Sequence, residues 1–185
     1  VDRSFNNLSI DFDTSTSDSC FLMANGQAGD IDAGLFEEAL SEICLKASEA
    51  LVRDGEGVTH LMDCRVQGGV DQAMVRAVAS SIINSPLVKT MITGADPNWG
   101  RLVMAVGKVD DARLEGVAPT ISIGGHLVLA GGVPAPHDLN AISNGMKHLD
   151  TVLLEVDLHL GEAKVQFFGA NLTKEYVSIN ADYTT

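Results

Sequence analysis

Three short polar segments carry most of the side chains that could do chemistry. Segment 11–18 places seven polar or acidic side chains around a single phenylalanine. Segment 53–57 places Glu56 between two glycines, which let the backbone approach a ligand closely. Segment 96–101 holds the only tryptophan, together with a carboxylate, an amide and a guanidinium. Each segment also has a structural interpretation, as a solvated turn, a helix end and a helix start respectively.

The spacing of the possible metal ligands does not match known metal-site motifs. The aspartates that begin segment 11–22 resemble the start of a calcium loop, but Thr16 stands where glycine is required and Leu22 where glutamate is required. None of the five histidines pairs with another at three or four residues, and the three cysteines form no CxxC. The sequence therefore predicts no metal site.

Composition excludes several classes of partner. The chain has 25 acidic and 12 basic residues and a formal net charge of −13. Nucleic-acid and anionic-membrane surfaces need clustered Lys and Arg, so we expect neither partner. No apolar run approaches the roughly 18 residues that cross a bilayer. The odd number of widely spaced cysteines indicates a reducing compartment.

Helical periodicity and capping residues position these segments. Asp32 can cap the longest helix, which we predict to end at Arg53 before Gly55. Its apolar residues recur at helical spacing: Phe36, Leu40, Ile43, Ala47 and Leu51. Three further helices are predicted: from Asp71 to the residue before Pro86, from Pro97 to Val106 with Asp96 as N-cap, and from Asp138 to His148.

Short apolar and alternating runs predict the strands. Residues 151–160 alternate between apolar and polar, and Gly161-Glu162 can turn them into a hairpin with 163–168. The apolar run 87–92 predicts a buried strand. The remaining predicted strands are 4–10, 20–24, 60–66 and the ribbon 120–129. This mixture without regular βαβ alternation indicates layered α/β or α+β architecture.

Six motifs follow one another in a family-specific order. They are Ser4-Phe5-Asn6, segment 11–18, Asp54-Gly55-Glu56-Gly57, segment 85–90, segment 94–101 and the tail 179–183. Together they resemble the β chain of ornithine acetyltransferase, also called glutamate N-acetyltransferase, over nearly the whole chain. The resemblance implies an α/β fold, an α-β-β-α sandwich completed with an α chain. It assigns residues 1–95 to the sandwich and 96–185 to a smaller C-terminal α+β domain whose tail returns to the active site.

The resemblance also implies a mechanism. A precursor cleaves itself before a threonine, which becomes the nucleophile, and its own α-amine can serve as the base. Acetyl passes from N-acetylornithine to this threonine and then to glutamate, in a ping-pong reaction with an oxyanion hole from the α chain. The nucleophile is expected upstream of Val1, so no catalytic residue is assigned within the chain. No cofactor is expected, although acetyl-CoA is an alternative donor. The expected assembly is an (αβ)2 heterotetramer.

Three residues match substrate contacts of the family. Glu56 could pair with the amine of ornithine, and Asn180 and Thr185 could hydrogen-bond a polar substrate if the tail is pinned, with Tyr183 as one candidate pin. Five residues are expected to support the site: Asp13, Thr14, Asp96, Asn98 and Arg101.

Departures from the family pattern leave more than one function open. Phe12 stands where the family usually has glycine, Ser17 where it has asparagine, and Ala170-Asn171 where it has a Cys-Asp pair. These changes fit a paralogue in secondary metabolism. The sequence is also compatible with a hydrolase or aminopeptidase of the same self-cleaving superfamily, and with a non-catalytic amino-acid-binding subunit. A cytoplasmic location is expected, or a mitochondrial one in a eukaryote.

Overall fold

A mixed seven-stranded sheet organises the chain in the computed structural model, which describes residues 1–183. The strands lie in the order β1-β7-β2-β6-β3-β4-β5. They are Leu8–Ser9 (β1), Leu61–Gly69 (β2), Thr120–Ile123 (β3), His126–Ala130 (β4), Val133–Pro134 (β5), Thr151–Asp157 (β6) and Ala163–Ala170 (β7). The helices are Ala33–Arg53 (α1), Gln72–Ile83 (α2), Pro86–Thr93 (α3), Trp99–Gly107 (α4), Leu139–Met146 (α5) and Lys174–Asp182 (α6). The predicted α/β class is confirmed.

Strand β2 lies inside the sheet, and its side chains alternate between the two faces. Met62, Cys64 and Val66 point to one face, where they join the main core with residues of α2, α3, α4 and α5. Leu61 points to the other face, where a smaller core forms with Val52 of α1. This alternation follows from the two-residue period of a strand. Helices therefore cover both faces, but α1 covers its face only near the start of β2.

The aspartates at the predicted starts of three helices cap those helices. Asp32 accepts hydrogen bonds from the amides of Gly34 and Leu35. Asp71 accepts one from Met74 at the start of α2, and Asp138 caps α5 in the same way. A side-chain acceptor at this position satisfies amides that have no partner inside the helix. The predicted helices 32–53, 71–85 and 138–148 are thus confirmed.

The predicted hairpin of 151–160 with 163–168 is wrong. Strand β2 lies between them, parallel to β6 and antiparallel to β7. The connection after β6 crosses the end of β2, where Leu160 and Gly161 donate hydrogen bonds to the carbonyl of Gly68 at 2.6 and 2.9 Å. Alternation of side chains fixes the faces of a strand but does not identify its neighbours.

The predicted strand 87–92 is also wrong, because this segment is helix α3. Ser85 caps it by accepting a hydrogen bond from the amide of Val88, and Pro86 occupies the first helical position. Both faces of the segment carry apolar residues, so a short run of this kind fits a strand and a helix equally well. Helix α4 begins at Trp99, with Asn98 rather than Asp96 at its N-cap.

The beginning of the chain forms less strand than predicted. Segment 4–10 consists of a short 3₁₀ turn, Phe5–Asn7, followed by the two-residue strand β1. Segment 20–24 forms no strand, and Phe21, Leu22 and Met23 are exposed. A strand needs a neighbouring backbone for its amides and carbonyls, and no described strand pairs with this segment.

The predicted apolar stripe of α1 faces outward. None of its five residues is fully buried, and three are exposed: Phe36, Ile43 and Leu51. Only Ser48 and Val52 of this helix are buried. Exposed apolar patches of this kind mark interaction surfaces. Within residues 1–183 no helix combines the length and apolar composition needed to cross a membrane.

Candidate functional site

A groove of about 1210 Å³ opens at the edge of the sheet where β1 and β7 end and β2 begins. Carboxyl ends of parallel strands meet at one edge of a sheet, and ligands bind there in many α/β proteins. Five carboxylates line the groove, and none of its described lining residues is Lys or Arg. The carboxylates belong to Asp11, Asp13, Asp18, Asp54 and Glu56. This lining favours a ligand that carries a positive charge.

Glu56 and Asn180 meet in this groove although they are far apart in sequence. The Asn180 Nδ2 donates to the Glu56 Oε2 at 2.8 Å and to the carbonyl of Tyr176 at 3.0 Å. Glu56 follows the end of α1, whereas Asn180 belongs to α6, a helix that the sequence analysis did not predict. The amide therefore orients one carboxylate oxygen and leaves the other available to a ligand.

Gly57 fixes the start of helix α6 against the Glu56 loop. Thr173 caps α6 by accepting from the amide of Tyr176 at 3.1 Å, and its hydroxyl donates to the carbonyl of Gly57 at 2.7 Å. Gly57 has a φ of +63°, and a Cβ at this position would lie 2.5 Å from the Tyr176 nitrogen. Only glycine permits both this backbone conformation and so close an approach. The second glycine of the sequence Gly-Glu-Gly thus has a packing reason.

The turn after β1 supplies two of the five carboxylates. Asp11 Oδ1 accepts from the amide of Asp13 at 3.0 Å, and Ser9 Oγ accepts from the amide of Phe12 at 3.1 Å. These bonds hold Phe12 at a φ of +82°, a left-handed conformation that L side chains rarely adopt. The ring lines the groove and is 71% exposed.

Phe12→Gly is expected to stabilise the protein relative to Phe12→Ala by about 1 kcal/mol, because only glycine adopts this φ without strain. Both changes remove the ring, so their difference isolates the backbone term. At an ordinary φ the order is reversed, with alanine the more stable by about 0.5–1 kcal/mol. Thermal unfolding of the two variants measures the difference. A higher midpoint for Phe12→Ala would contradict the left-handed conformation.

A buried lysine holds the strand ends behind the groove. Lys89 of α3 is 4% exposed, and its Nζ donates to the carbonyls of Ile10 at 2.6 Å and Ala170 at 2.7 Å. Burial lowers the pKa of Lys89 to about 8, while the nearby Asp11 carboxylate opposes that shift. The ammonium thus joins the carboxyl ends of β1 and β7 immediately before the Asp11 turn.

The predicted site residues fall into two groups. Asp13 and Thr14 line the same groove as Glu56 and Asn180. Arg101 lies elsewhere, where it donates to the carbonyl of Leu87 at 2.8 Å and joins α4 to α3. Asp96 and Asn98 lie beside it: Arg101 and Asp96 form a 3.8 Å ion pair, and Asn98 Nδ2 is 3.5 Å from Asp96 Oδ2. The supporting role of these three stays a prediction, and Thr185 lies outside the described residues.

A second constellation contains the residue types of a hydrolytic triad. Thr120 Oγ1 lies 2.8 Å from His159 Nε2, and His159 Nδ1 lies 3.3 Å from Asp157 Oδ1. Both oxygens have other partners, since Thr120 accepts from the amide of Gly131 at 3.1 Å and Asp157 accepts from the amide of His159 at 2.9 Å. Asp157 pairs with Gln67 at the far end of β2, away from the groove. We assign these contacts to joining the turns at that end of the sheet.

The mixed sheet and the acidic groove define an α/β protein with a candidate site, and comparison with known proteins specifies its family. The sequence model of the ArgJ family matches residues 1–185. A crystal structure of arginine biosynthesis bifunctional protein ArgJ from Bacillus halodurans is similar with a TM-score of 0.92. It is 34% identical, and the alignment covers 98% of this chain and 88% of that one. The chain therefore belongs to the ArgJ family.

Two relatives extend the comparison. The arginine biosynthesis bifunctional protein ArgJ of Rhodococcoides fascians is 44% identical, over 100% of this chain and 46% of that protein. The glutamate N-acetyltransferase Oat2 of Streptomyces clavuligerus is 42% identical, over 100% of this chain and 48% of that protein. The chain thus spans about half the length of these relatives.

Proposed function

We propose that this chain is the substrate-holding half of an acetyltransferase that moves acetyl from N-acetylornithine to glutamate. The observation that carries the proposal is the Glu56 carboxylate, oriented by Asn180 at 2.8 Å in a groove lined by five carboxylates. The side-chain ammonium of ornithine matches this charge, and a charge-assisted hydrogen bond to Glu56 would orient the substrate. Membership of the ArgJ family supports the same reaction, since one relative is called a glutamate N-acetyltransferase.

The proposed reaction has two half-reactions with one acyl-enzyme. The oxygen of a threonine upstream of Val1 attacks the acetyl carbonyl of N-acetylornithine, and the proton of its hydroxyl passes through the threonine α-amine to the departing nitrogen. The carbon–nitrogen bond breaks, ornithine leaves and an acetyl ester remains. The α-amine of glutamate then attacks the ester, which gives N-acetylglutamate and restores the hydroxyl. In both steps this chain binds and orients the amino acid.

The other half of the precursor is the proposed partner. The exposed apolar residues of α1 and of segment 21–23 offer it a surface. The groove also needs a nucleophile and an oxyanion hole, which we assign to segments outside residues 1–185 and to the α chain respectively. An (αβ)2 assembly completes the proposal, with a cytoplasmic location, or a mitochondrial one in a eukaryote. We also propose that residues 1–95 belong to the sandwich and that residues 96–185 form a smaller C-terminal domain.

Incubation of the complete enzyme with N-acetylornithine, with and without glutamate, tests the reaction. Acetyl transfer predicts that sustained release of ornithine requires glutamate and yields equimolar N-acetylglutamate. Equal release in both incubations would instead indicate a hydrolase. N-terminal sequencing of the mature chain adds a second test, because a terminal threonine supports catalysis, and its absence supports a non-catalytic binding subunit. Addition of acetyl-CoA in place of N-acetylornithine tests the alternative donor.

A further inference from the structure

Helix α6 reaches the groove only through a few contacts. Its start is fixed at Gly57, but Asn180 lies nearly two turns further along the helix. None of the helix residues is buried, so packing contributes little to its position. The terminal turn of a weakly packed helix frays readily. A contact in addition to the N-cap is therefore needed to hold Asn180 over Glu56.

Tyr176 makes such a contact. Its hydroxyl donates to Asp11 Oδ2 at 3.0 Å, across the groove from the start of α6 to the turn after β1. Burial and the Asp11 carboxylate raise the pKa of Tyr176, so the hydroxyl keeps its proton and acts as the donor. The carbonyl of Tyr176 also accepts from Asn180 Nδ2 at 3.0 Å. One residue thus binds both the opposite wall and the amide that orients Glu56.

The acceptor of this bond is itself held in place. Lys89 fixes the carbonyl of Ile10, the residue before Asp11. The other Asp11 oxygen accepts from the amide of Asp13. A hydrogen bond to an anchored carboxylate positions its donor better than one to a mobile side chain, because less conformational entropy is lost in forming it. The contacts therefore run without interruption from the buried ammonium of Lys89 to the carboxylate of Glu56.

We propose that Tyr176 is a positioning residue, which through its hydrogen bond to Asp11 keeps Asn180 in place to orient Glu56 for a cationic substrate. This inference rests on the proposed function, because it takes Glu56 as the residue that binds the amine. The tyrosine at the end of the tail, Tyr183, is 73% exposed and makes no such contact among the described residues. Tyr176, rather than Tyr183, is therefore the residue that we propose to hold the tail in place.

The two tyrosines of the chain provide a matched pair of variants in the complete enzyme. Tyr176→Phe removes only the hydroxyl, and we expect the kcat/KM for N-acetylornithine to fall roughly tenfold, the effect of losing one hydrogen bond to a charged acceptor. Tyr183→Phe is expected to change it less than twofold. Asp11→Asn keeps an acceptor oxygen and should retain more activity than Asp11→Ala. Asp11→Ala should lose at least as much activity as Tyr176→Phe, because it also removes the bond to the Asp13 amide.

A double-mutant cycle separates positioning from a general structural effect. In a Glu56→Gln background, Tyr176→Phe should cost less than twofold, because the carboxylate on which it acts is already absent. A full tenfold loss in that background, or equal effects of the two tyrosine variants, would overturn the inference. If the unmodified enzyme transfers no acetyl group, the proposed function fails instead. Limited proteolysis of the tail then still tests the contact, since Tyr176→Phe should speed cleavage within α6 and an unchanged rate would refute it.

Discussion

Replacing Gly57 with alanine is expected to lower the kcat/KM of the complete enzyme for N-acetylornithine about 100-fold, because a displaced binding group of this kind can cost that much. The added Cβ would lie 2.5 Å from the Tyr176 nitrogen and 2.9 Å from Thr173 Oγ1, in a backbone with a φ of +63°. The nitrogen belongs to the backbone and cannot rotate away. Helix α6 must therefore move as a unit, and Asn180 moves with it away from Glu56.

Gly116→Ala is the matched control for this change. Gly116 has a similar φ of +71°, but nothing lies within 4 Å of the position of its Cβ. Both variants carry the left-handed strain of about 1 kcal/mol, whereas only Gly57→Ala adds a clash, for a total of about 3 kcal/mol. Thermal unfolding measures the loss of stability in each variant, and steady-state kinetics measure the loss of activity. Equal losses of activity in the two variants would refute the packing role of Gly57.

Glu56→Ala is expected to reduce the kcat/KM for N-acetylornithine by about 100-fold, which corresponds to about 3 kcal/mol for a lost charge-assisted hydrogen bond. The attack of glutamate on the acetyl-enzyme should slow by less than about tenfold, since glutamate carries no side-chain ammonium. Pre-steady-state measurement of ornithine release and of N-acetylglutamate formation separates the two half-reactions. The fold should remain intact because Glu56 is exposed.

Two further variants show whether charge is responsible. Glu56→Gln retains an oxygen that can accept from Asn180 Nδ2 but loses the negative charge, so it should lose most of the activity as well. Glu162→Gln makes the same chemical change in an exposed turn beyond β6 and should have no effect. Nearly normal kinetics of Glu56→Gln would show that Glu56 acts by hydrogen bonding alone.

The helices were predictable where their start signals were local. Asp32, Asp71 and Asp138 act within three residues of their own position, so sequence alone contains the information. Helix α3 carries an equally local signal, the pair Ser85-Pro86, but its buried apolar run also fits a strand. Strand neighbours were not predictable, because the pairing of β2 with β6 and β7 depends on packing between distant segments.

The candidate site was predictable only in part. The resemblance identified Glu56 and Asn180, and the structure brings them together. The contact between Asp11 and Tyr176 spans 165 residues, and neither side chain has an unusual sequence context. Helix α6 has the start signal Thr173 with Glu175 in its first turn, but too few apolar residues to predict a packed helix.

The position of β2 has a consequence for the order in which the chain folds. Leu61 pairs with both Thr151 and Ala170, so the interior of the sheet forms only after about a hundred further residues have been synthesised. Contacts so distant in sequence slow folding, since a long loop must close before any pairing is gained. Until then β2 exposes two unpaired edges to other nascent chains. Closure of this sheet is therefore the step at which we expect the folding chain to be most exposed to aggregation.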